Sequence, residues 1–441
     1  MLRALLPGLF LALLVCCSGG PASSVGAPDA TVDAPDTGVP EATVPFDGAV
    51  GHFCDLPGSI QYRLGGVVVV PGGIDTPDLS YLRPPTGFCV HYYGVVGNAR
   101  QLRFAPGGEL FVASPTTPTG GGGAGGQSAI VVLPDDDNDG VADSVLTFLG
   151  SLPSTQGILF TGGFLYYQNS TSILRVPYAT GDRSPSGASE PVADITVYSS
   201  DTHWPKTLDV ADDGTIYVGN GGDQTETCDP SRPFHGGILK LDGTDGGAPV
   251  AKGLRNPIAI RCPHGHDTCL AAELGKDGSS VPDFGREKII PIRQGDDWGF
   301  PCCATQNTPY AGISPTPDCS GVANEYETLV IGNTPFGIDF EPGLWPAPWT
   351  GNAIVTLHGS FGSWTGARLV GIAMDPTTGF PVAGSDLNGG DTGGMADFAT
   401  GWDDGLLDHG RPASLAFSKD GRLFLGNDND GTIVWIAPLS L

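Results

Sequence analysis

The feature that most constrains this chain is a hairpin that keeps returning. Its clearest copy spans residues 207–218. There Thr207, Leu208, Asp209 and Val210 run into Asp212-Asp213-Gly214, and Thr215, Ile216, Tyr217 and Val218 leave again. Asp-Gly between alternating β-forming residues is a strong short-range hairpin signal. Other copies turn at Gly108, Gly163, Gly265, Gly343 and Gly421, so successive turns lie 55, 51, 51, 78 and 78 residues apart. Another apolar strand follows most copies, as in Ser172-Ile173-Leu174-Arg175-Val176 and Thr432-Ile433-Val434-Trp435-Ile436. A repeat of about 40–50 residues with four strands per unit predicts a β-propeller. Six copies predict six blades, with residues 59–70 supplying a strand that completes the last one. The two long spacings predict insertions on either side of the fifth hairpin. A β-sandwich array is the rival fold, but it leaves the recurring four-strand unit unexplained.

Composition supports an all-β chain. Glycine is abundant (68 of 441 residues), charged residues make up only 16%, and helical patterns with capping boxes are nearly absent. The net charge is −27. Nucleic-acid partners need basic surface, so DNA and RNA are set aside. Acidity suits carboxylate-rich calcium sites as well as a plain soluble surface.

Residues 1–17 read as an export signal. Arg3 is the charged start, and residues 4–15 form an apolar core too short for a permanent span. Leu14-Val15-Cys16-Cys17-Ser18 resembles a bacterial lipoprotein cleavage box with Cys17, or else Cys16, as the lipidated residue. Simple secretion is the alternative. Either way the chain is expected outside the cytoplasm: at the outer membrane or cell surface through a lipid anchor, or in the periplasm or medium. Residues 18–50 are rich in Ala, Pro, Asp, Gly and Thr and cannot bury a core, so they read as a disordered tether. Residues 51–441 remain for the propeller. Eight cysteines lie beyond the signal, and an even count in an exported chain predicts disulfides, with Cys262 and Cys269 the first pair expected. A metal site at Cys302, Cys303 and Cys319 ranks lower, since neither Cys-x-x-Cys nor a nearby His pair accompanies them.

Few copies of the hairpin carry reactive groups. His203 stands just before the third, beside Trp204-Pro205, and an imidazole there can take a hydroxyl proton. A hydrogen-bonded structural histidine is the plainer alternative. Arg255-Asn256 precedes the fourth hairpin, where an arginine can bind a carboxylate or an oxyanion; pairing with one of the many acids is the alternative. Gln156 precedes the second hairpin and Arg411 the sixth. Polar groups at the same end of several blades point to one channel mouth. Separately, Asp135, Asp137 and Asp139 alternate, and Asp143 follows Gly140. Oxygen ligands at alternate residues around a glycine turn can cage Ca²⁺ in a structural site; a solvated acidic turn is the alternative.

Several motifs then fall in order along residues 95–438. They are His203-Trp204-Pro205-Lys206-Thr207-Leu208, Gly253-Leu254-Arg255-Asn256-Pro257, Val281-Pro282-Asp283-Phe284, Gly295-Asp296-Asp297-Trp298-Gly299-Phe300-Pro301, His358-Gly359-Ser360, and Gly410-Arg411-Pro412 ahead of Lys419-Asp420-Gly421. In that order they resemble the glucose/sorbosone dehydrogenase family, most closely its sorbosone dehydrogenase-like branch. The resemblance implies a six-bladed propeller that uses pyrroloquinoline quinone (PQQ) and calcium. It implies that His203 is the general base for a sugar hydroxyl and that Arg255 holds the quinone and steadies its oxyanion. Gln156, Asn256 and Arg411 would be further cofactor contacts. Backbone oxygens at Gly275 and Lys276, after Glu273, would hold the cofactor's calcium. Relatives carry Gly-Pro where this chain has Gly275-Lys276, and continue His-Gly-Ser with Trp-Asn-Arg where this chain has Phe361-Gly362-Ser363.

The resemblance thus implies a PQQ-dependent enzyme that oxidises an aldose or related aldehyde and passes electrons to a separate acceptor. Two other readings are a non-enzymatic propeller that binds carbohydrate or protein at the cell surface, and a calcium-dependent lactone hydrolase. The hydrolase would need carboxylates and an Asn converging on calcium in the channel.

Overall fold

Turn chemistry shapes the repeating hairpin. At Asp212-Asp213-Gly214 the Asp213 carboxylate accepts the Thr215 N–H at 2.8 Å, and Gly214 takes the left-handed φ of +86°, which a Cβ disfavours. The arms then pair antiparallel, Leu208 opposite Val218 and Val210 opposite Ile216. A computed structural model of the chain describes residues 52–441 apart from 75, 117–124, 196–202, 223–225, 230, 232–233, 244–245, 267, 277–286, 324–328, 331–332, 361–362, 383–394 and 407–408. Residues 49–441 form one compact unit.

Six antiparallel sheets make the blades of a propeller. Counted from the channel outward, blade 1 is Gln101–Phe104, Leu110–Ser114, Ala129–Leu133 and Leu146–Leu149. Blade 2 is Ile158–Thr161, Phe164–Asn169, Ser172–Pro177 and Glu190–Asp194. Blade 3 is Leu208–Val210, Ile216–Asn220, Gly237–Lys240 and Ala248–Lys252. Blade 4 is Asn256–Arg261, Leu270–Leu274, Lys288–Pro291 and Leu329–Val330. Blade 5 is Pro335–Phe340, Ala353–Leu357, Arg368–Ile372 and Met395–Ala399. Blade 6 takes Arg411–Phe417, Leu423–Asp428 and Thr432–Pro438 from the C-terminus and Phe88–Val95 from the N-terminal side.

That last pairing closes the ring, with Thr432 opposite Val95 and Pro438 opposite Phe88. The closing strand is therefore Phe88–Val95 and not residues 59–70. The earlier hairpin, Ile60–Arg63 with Gly66–Val69, adds outside it as fifth and sixth strands. Side chains explain the difference. Phe88, Cys89, Val90 and Tyr93 are buried, whereas Val67, Val68 and Val69 are each at least 47% exposed. The inner position needs apolar side chains to fill the space beside neighbouring blades.

Apolar residues of adjacent sheets interdigitate. Leu102, Val112, Val131 and Leu133 of blade 1 meet Phe424, Ile433 and Trp435 of blade 6. Leu159 and Ile173 of blade 2 meet Leu208, Val218 and Leu239 of blade 3. Each such buried side chain contributes about 1.5–3 kcal/mol, so the ring, rather than any one sheet, is the stable unit.

All eight cysteines beyond the signal pair: Cys54–Cys89, Cys228–Cys302, Cys262–Cys269 and Cys303–Cys319. The expected Cys262–Cys269 bridge is present, and the metal reading of Cys302, Cys303 and Cys319 gives way to disulfides. The insertion ahead of the fifth hairpin holds the small Cys303–Thr305/Thr308–Pro309 ladder. The Cys228–Cys302 bridge staples it to the loop that follows Asn220. No helix among the described residues is long and apolar enough to cross a membrane.

Candidate active site at the channel mouth

Register brings the polar groups together. The innermost strand of a blade begins, and its second strand ends, at one and the same end of the channel: Asn256 lies opposite Leu274, Pro335 opposite Leu357, and Arg411 opposite Asp428. Arg100, Gln156, His203, Arg255, Asn256 and Arg411 all sit at that end, and all are buried. A void of about 20 Å³ in the channel is lined by Arg100, Gln156, Thr207, Phe336 and Ser414 among others, roughly the room one water needs.

His203 is 3% exposed. Its Nδ1 lies 2.9 Å from the Gly222 carbonyl oxygen. A carbonyl only accepts, so Nδ1 carries the proton and Nε2 is the basic nitrogen. The sequence Asn220-Gly221-Gly222 permits this closeness. A Cβ on Gly221 would lie 2.2 Å from the His203 Cβ, and one on Gly222 would lie 2.9 Å from Phe300 and 2.6 Å from the His235 carbonyl. Gly222 also donates its N–H to the Arg255 carbonyl at 2.5 Å, so one glycine joins the segments that carry His203 and Arg255.

A second network crosses the mouth. Arg100 Nη1 donates to Asp428 Oδ2 at 2.6 Å, and His358 Nε2 lies 2.9 Å from the same oxygen. Arg100 Nε donates to Gln156 Oε1 at 3.3 Å, and its guanidinium lies over Phe336 at 4.5 Å and Trp204 at 5.6 Å. Arg411 donates to the carbonyls of His358 at 2.9 Å and Gly359 at 2.6 Å. Burial pushes Asp428 up, but His358, Arg100 and Arg411 outweigh it and hold the carboxyl below its usual range. Burial lowers His358 to about 4, against the pull of Asp428, and lowers Arg411 to about 10. At neutral pH the cluster is thus two arginines, one carboxylate and a neutral imidazole. Lys206, which precedes the innermost strand of blade 3, is 1% exposed, its Nζ has no hydrogen-bond partner, and burial lowers it to about 7.

At Arg255, Nε pairs with the Glu226 carboxylate, and the backbone N–H donates to Glu273 Oε1 at 3.0 Å. Glu273 in turn lies 3.4 Å from Lys288 Nζ. The Lys276 ammonium turns toward this cluster, 3.2 Å from Glu226 Oε2.

The residues fit an anionic, polar cofactor. Arg100, Arg255 and Arg411 are cations at one end of the channel and suit a ligand's anionic groups, whereas Asn256 Oδ1 and Asp428 Oδ1 are buried acceptors without hydrogen-bond partners and suit a ligand's N–H or O–H. At Gly275-Lys276 the side chain on offer is an ammonium, and the nearby Glu226 carboxylate is already paired with two cations. The acidic loop behaves differently. Asp135, Asp137 and Asp143 bring carboxylate oxygens within 4.8 Å of one another, a grouping suited to a cation. Asp139 is not part of that group; its Oδ1 accepts the Val141 N–H at 2.8 Å. This loop joins the third and fourth strands of blade 1 at the turn end, away from the mouth.

Of the residues expected from sequence, the mouth gathers Gln156, His203, Arg255, Asn256, Arg411 and the Gly275-Lys276 segment, and leaves the aspartates elsewhere. The Val281–Phe284 motif lies outside the described residues. Arg100, Asp428 and the placement of His358 beside them were not foreseen. Arg100 had a signal, because it precedes the first hairpin as Gln156 precedes the second. Asp428 had none, because its position follows from the register of blade 6.

No family model matches the chain, and no curated protein matches it. Solved structures do. The calcium structure of the Trichoderma reesei carbohydrate-active enzyme of family AA12 superposes with a TM-score of 0.64 at 18% identity, covering 81% of this chain and 97% of that one. The holo form of the pyranose dehydrogenase PQQ domain from Coprinopsis cinerea gives 0.58 at 14% identity, covering 80% and 96%. The apo form of the soluble aldose sugar dehydrogenase from Escherichia coli gives 0.54 at 11%, covering 80% and 99%. By fold, this chain stands with the six-bladed propellers represented by those pyranose and aldose sugar dehydrogenases.

Proposed function

We infer that this protein is an exported sugar oxidoreductase, a quinoprotein that oxidises an aldose or related aldehyde at the channel mouth. The observation that carries the reading is the His203–Gly222 hydrogen bond, which makes Nε2 the basic nitrogen beside an opening ringed by arginines on this fold. When bound, PQQ would supply the two-electron acceptor, with calcium as a Lewis acid on its carbonyl. Arg255, Gln156, Asn256 and Arg411 would hold it. Arg100 would add a third guanidinium, kept in place by Asp428 and Phe336. His203 Nε2 would take the proton of the sugar's anomeric hydroxyl, while Trp204 and Phe300 limit water around it. Calcium at Gly275-Lys276 would have to share that segment with the ammonium, whereas calcium at Asp135, Asp137 and Asp143 would be structural. The lipid anchor at Cys17 and the tether of residues 18–50 would hold the propeller at the cell surface.

The test is a titration of the purified protein with PQQ and calcium, reading cofactor absorbance and dye reduction with a panel of aldoses and aldehydes. Binding with dye reduction that His203→Ala abolishes is expected. Absence of binding at every calcium level would overturn the quinoprotein reading and leave a propeller that recognises something else.

A further inference from the structure

The outermost strand of a propeller blade has one unpaired side, and an unpaired strand can recruit another chain. Among the described residues, most blades of this chain blunt that edge. In blades 1, 2, 3 and 5 the outermost pairing shifts register, at Ile130-Val131, Ile173-Leu174, Ile238-Leu239 and Leu369-Val370. Pro191 and Pro249 stand in two of those outer strands and Asp397 in a third. Bulges, prolines and charges all discourage further pairing. The outermost strand of blade 4, Leu329–Val330, has only two residues. Blade 6 differs. Its outermost strand, Gly66–Val69, pairs with Ile60–Arg63 in an unbroken register, contains neither proline nor charge, and is exposed at every residue. Leu64 and Ile74 flank it at 96% and 56% exposure. Residues 64–74 carry no charge in a chain of net −27. The edge is also preformed. Cys54–Cys89 joins the segment ahead of the hairpin to the closing strand, and buried Gln61 donates to the Cys54 carbonyl at 2.5 Å. Val70 donates its N–H to the Ser59 carbonyl at 2.9 Å and accepts that of Gly58 at 3.0 Å. Backbone groups alternate sides along a strand, so those of Val67 and Val69 point away from the sheet.

We propose that Gly66–Val69 is a dimerisation edge that pairs antiparallel with the same strand of a second copy of this chain, about a two-fold axis at Val68. The outward backbone groups are symmetric about that residue. Val67 of one copy then meets Val69 of the other, and each such pair exchanges both hydrogen bonds. A second copy also brings β-branched side chains to both faces, where they cover the exposed valines. Two chains of net −27 repel one another, and the uncharged stretch 64–74 is where their contact costs least. A basic partner would find no carboxylate there. So short an interface belongs to the weak, transient class, with a Kd of roughly 10–100 µM.

Sedimentation velocity of the purified protein, up to about 200 µM, reads the monomer–dimer equilibrium across that range. Val69→Pro removes an N–H that the fold does not use and should raise the dimer Kd about tenfold or more, with the melting temperature within about 4 °C of the parent. Val68→Lys sets two ammonium groups against each other at the axis and should do the same. Val68→Cys should link into disulfide-bonded dimers under mild oxidation, because the axis brings the two Cα atoms to about 4.5 Å. Leu64→Cys is more exposed but lies off the axis, so it should link roughly tenfold more slowly. If Val69→Pro fails to fold, the lysine variant and the two cysteine variants decide. A parent that stays monomeric at about 200 µM overturns the proposal, whatever other chain the edge proves to bind. A dimer indifferent to Val68→Lys, or equal linking rates at the two cysteines, overturns it as well.

Discussion

Both ends of the channel set arginines against carboxylates, yet the two sets are wired differently: the turn-end pairs stand on innermost strands, whereas at the mouth Asp428 ends the second strand of blade 6. At the turn end, Asp339 accepts N–H groups from Phe340 and Phe417, each at 2.8 Å, together with the Arg261 guanidinium. Asp209 accepts the Cys262 N–H at 3.0 Å and lies 3.4 Å and 3.6 Å from Arg261 and Arg103. Apart from Arg103 Nε, this network closes on itself and pins blades 1, 3, 4, 5 and 6 together. Half-buried Phe104, Phe160, Phe340 and Phe417 surround a recess of about 880 Å³ above it. At the mouth, Lys206 Nζ, Asn256 Oδ1 and Asp428 Oδ1 are buried without partners. A closed polar network supports a fold, whereas an open one costs stability until something completes it. The closed network lies at the turn end and the open one at the mouth, where the function proposed above expects its ligand.

The comparison can be broken by substitutions at each end. The largest effect is expected at the mouth: His203→Ala should cut sugar-dependent dye reduction about 10²–10⁴-fold while the thermal transition stays cooperative. A variant that still turns over at near parental rate would move the base elsewhere. Next comes the turn end. Asp339→Ala leaves Arg261 with Asp209 alone and the Phe417 N–H without its acceptor, and should cost about 1–3 kcal/mol in denaturant unfolding, with quinone affinity unchanged; altered affinity would mean the ends are coupled.

Lys206 sharpens the contrast through pH. Its folded value of about 7 lies below the ordinary 10.5, so between those values the unfolded chain binds more protons. Stability therefore rises with pH across that window, and the full penalty applies below about 7. Lys206→Met should stabilise the protein by on the order of 2–4 kcal/mol at pH 6, and the gain should shrink toward pH 10. Melting temperatures of the pair across pH 6–10 check this; a constant difference would show that Lys206 is not the titrating group. The smallest effect is expected at the acidic loop. Calcium at about a hundred times its Kd should add up to about 2.7 kcal/mol, raising the melting temperature without changing activity. Asp137→Asn should abolish that response, and an unchanged response would remove calcium from Asp135, Asp137 and Asp143.

Much of the fold was legible because a hairpin turn is local. Asp213 and Gly214 are adjacent in sequence to the strands they join, so spacing alone revealed the repeat. The closing strand was misplaced for the opposite reason. Residues 59–70 and Phe88–Val95 are both β-forming, and only packing beside neighbouring blades separates the exposed Val67–Val69 run from the buried Phe88–Val90 run. At the site, His203 and Arg255 were legible by their place before a hairpin, but Glu226 and the inward turn of Lys276 were not, since a loop conformation brings them together.

The sequence by itself determined the all-β repeat, six turns, the apolar strand faces, and which residue types stand ahead of each inner strand. Those are properties of neighbours along the chain. Tertiary structure alone decided that Arg100 meets Asp428 across 328 residues, that the lone pair of His203 falls on Nε2, and that Lys276 faces Glu226. Each depends on ring closure and strand register, which place side chains by their distance from the channel axis and not by their order in the chain.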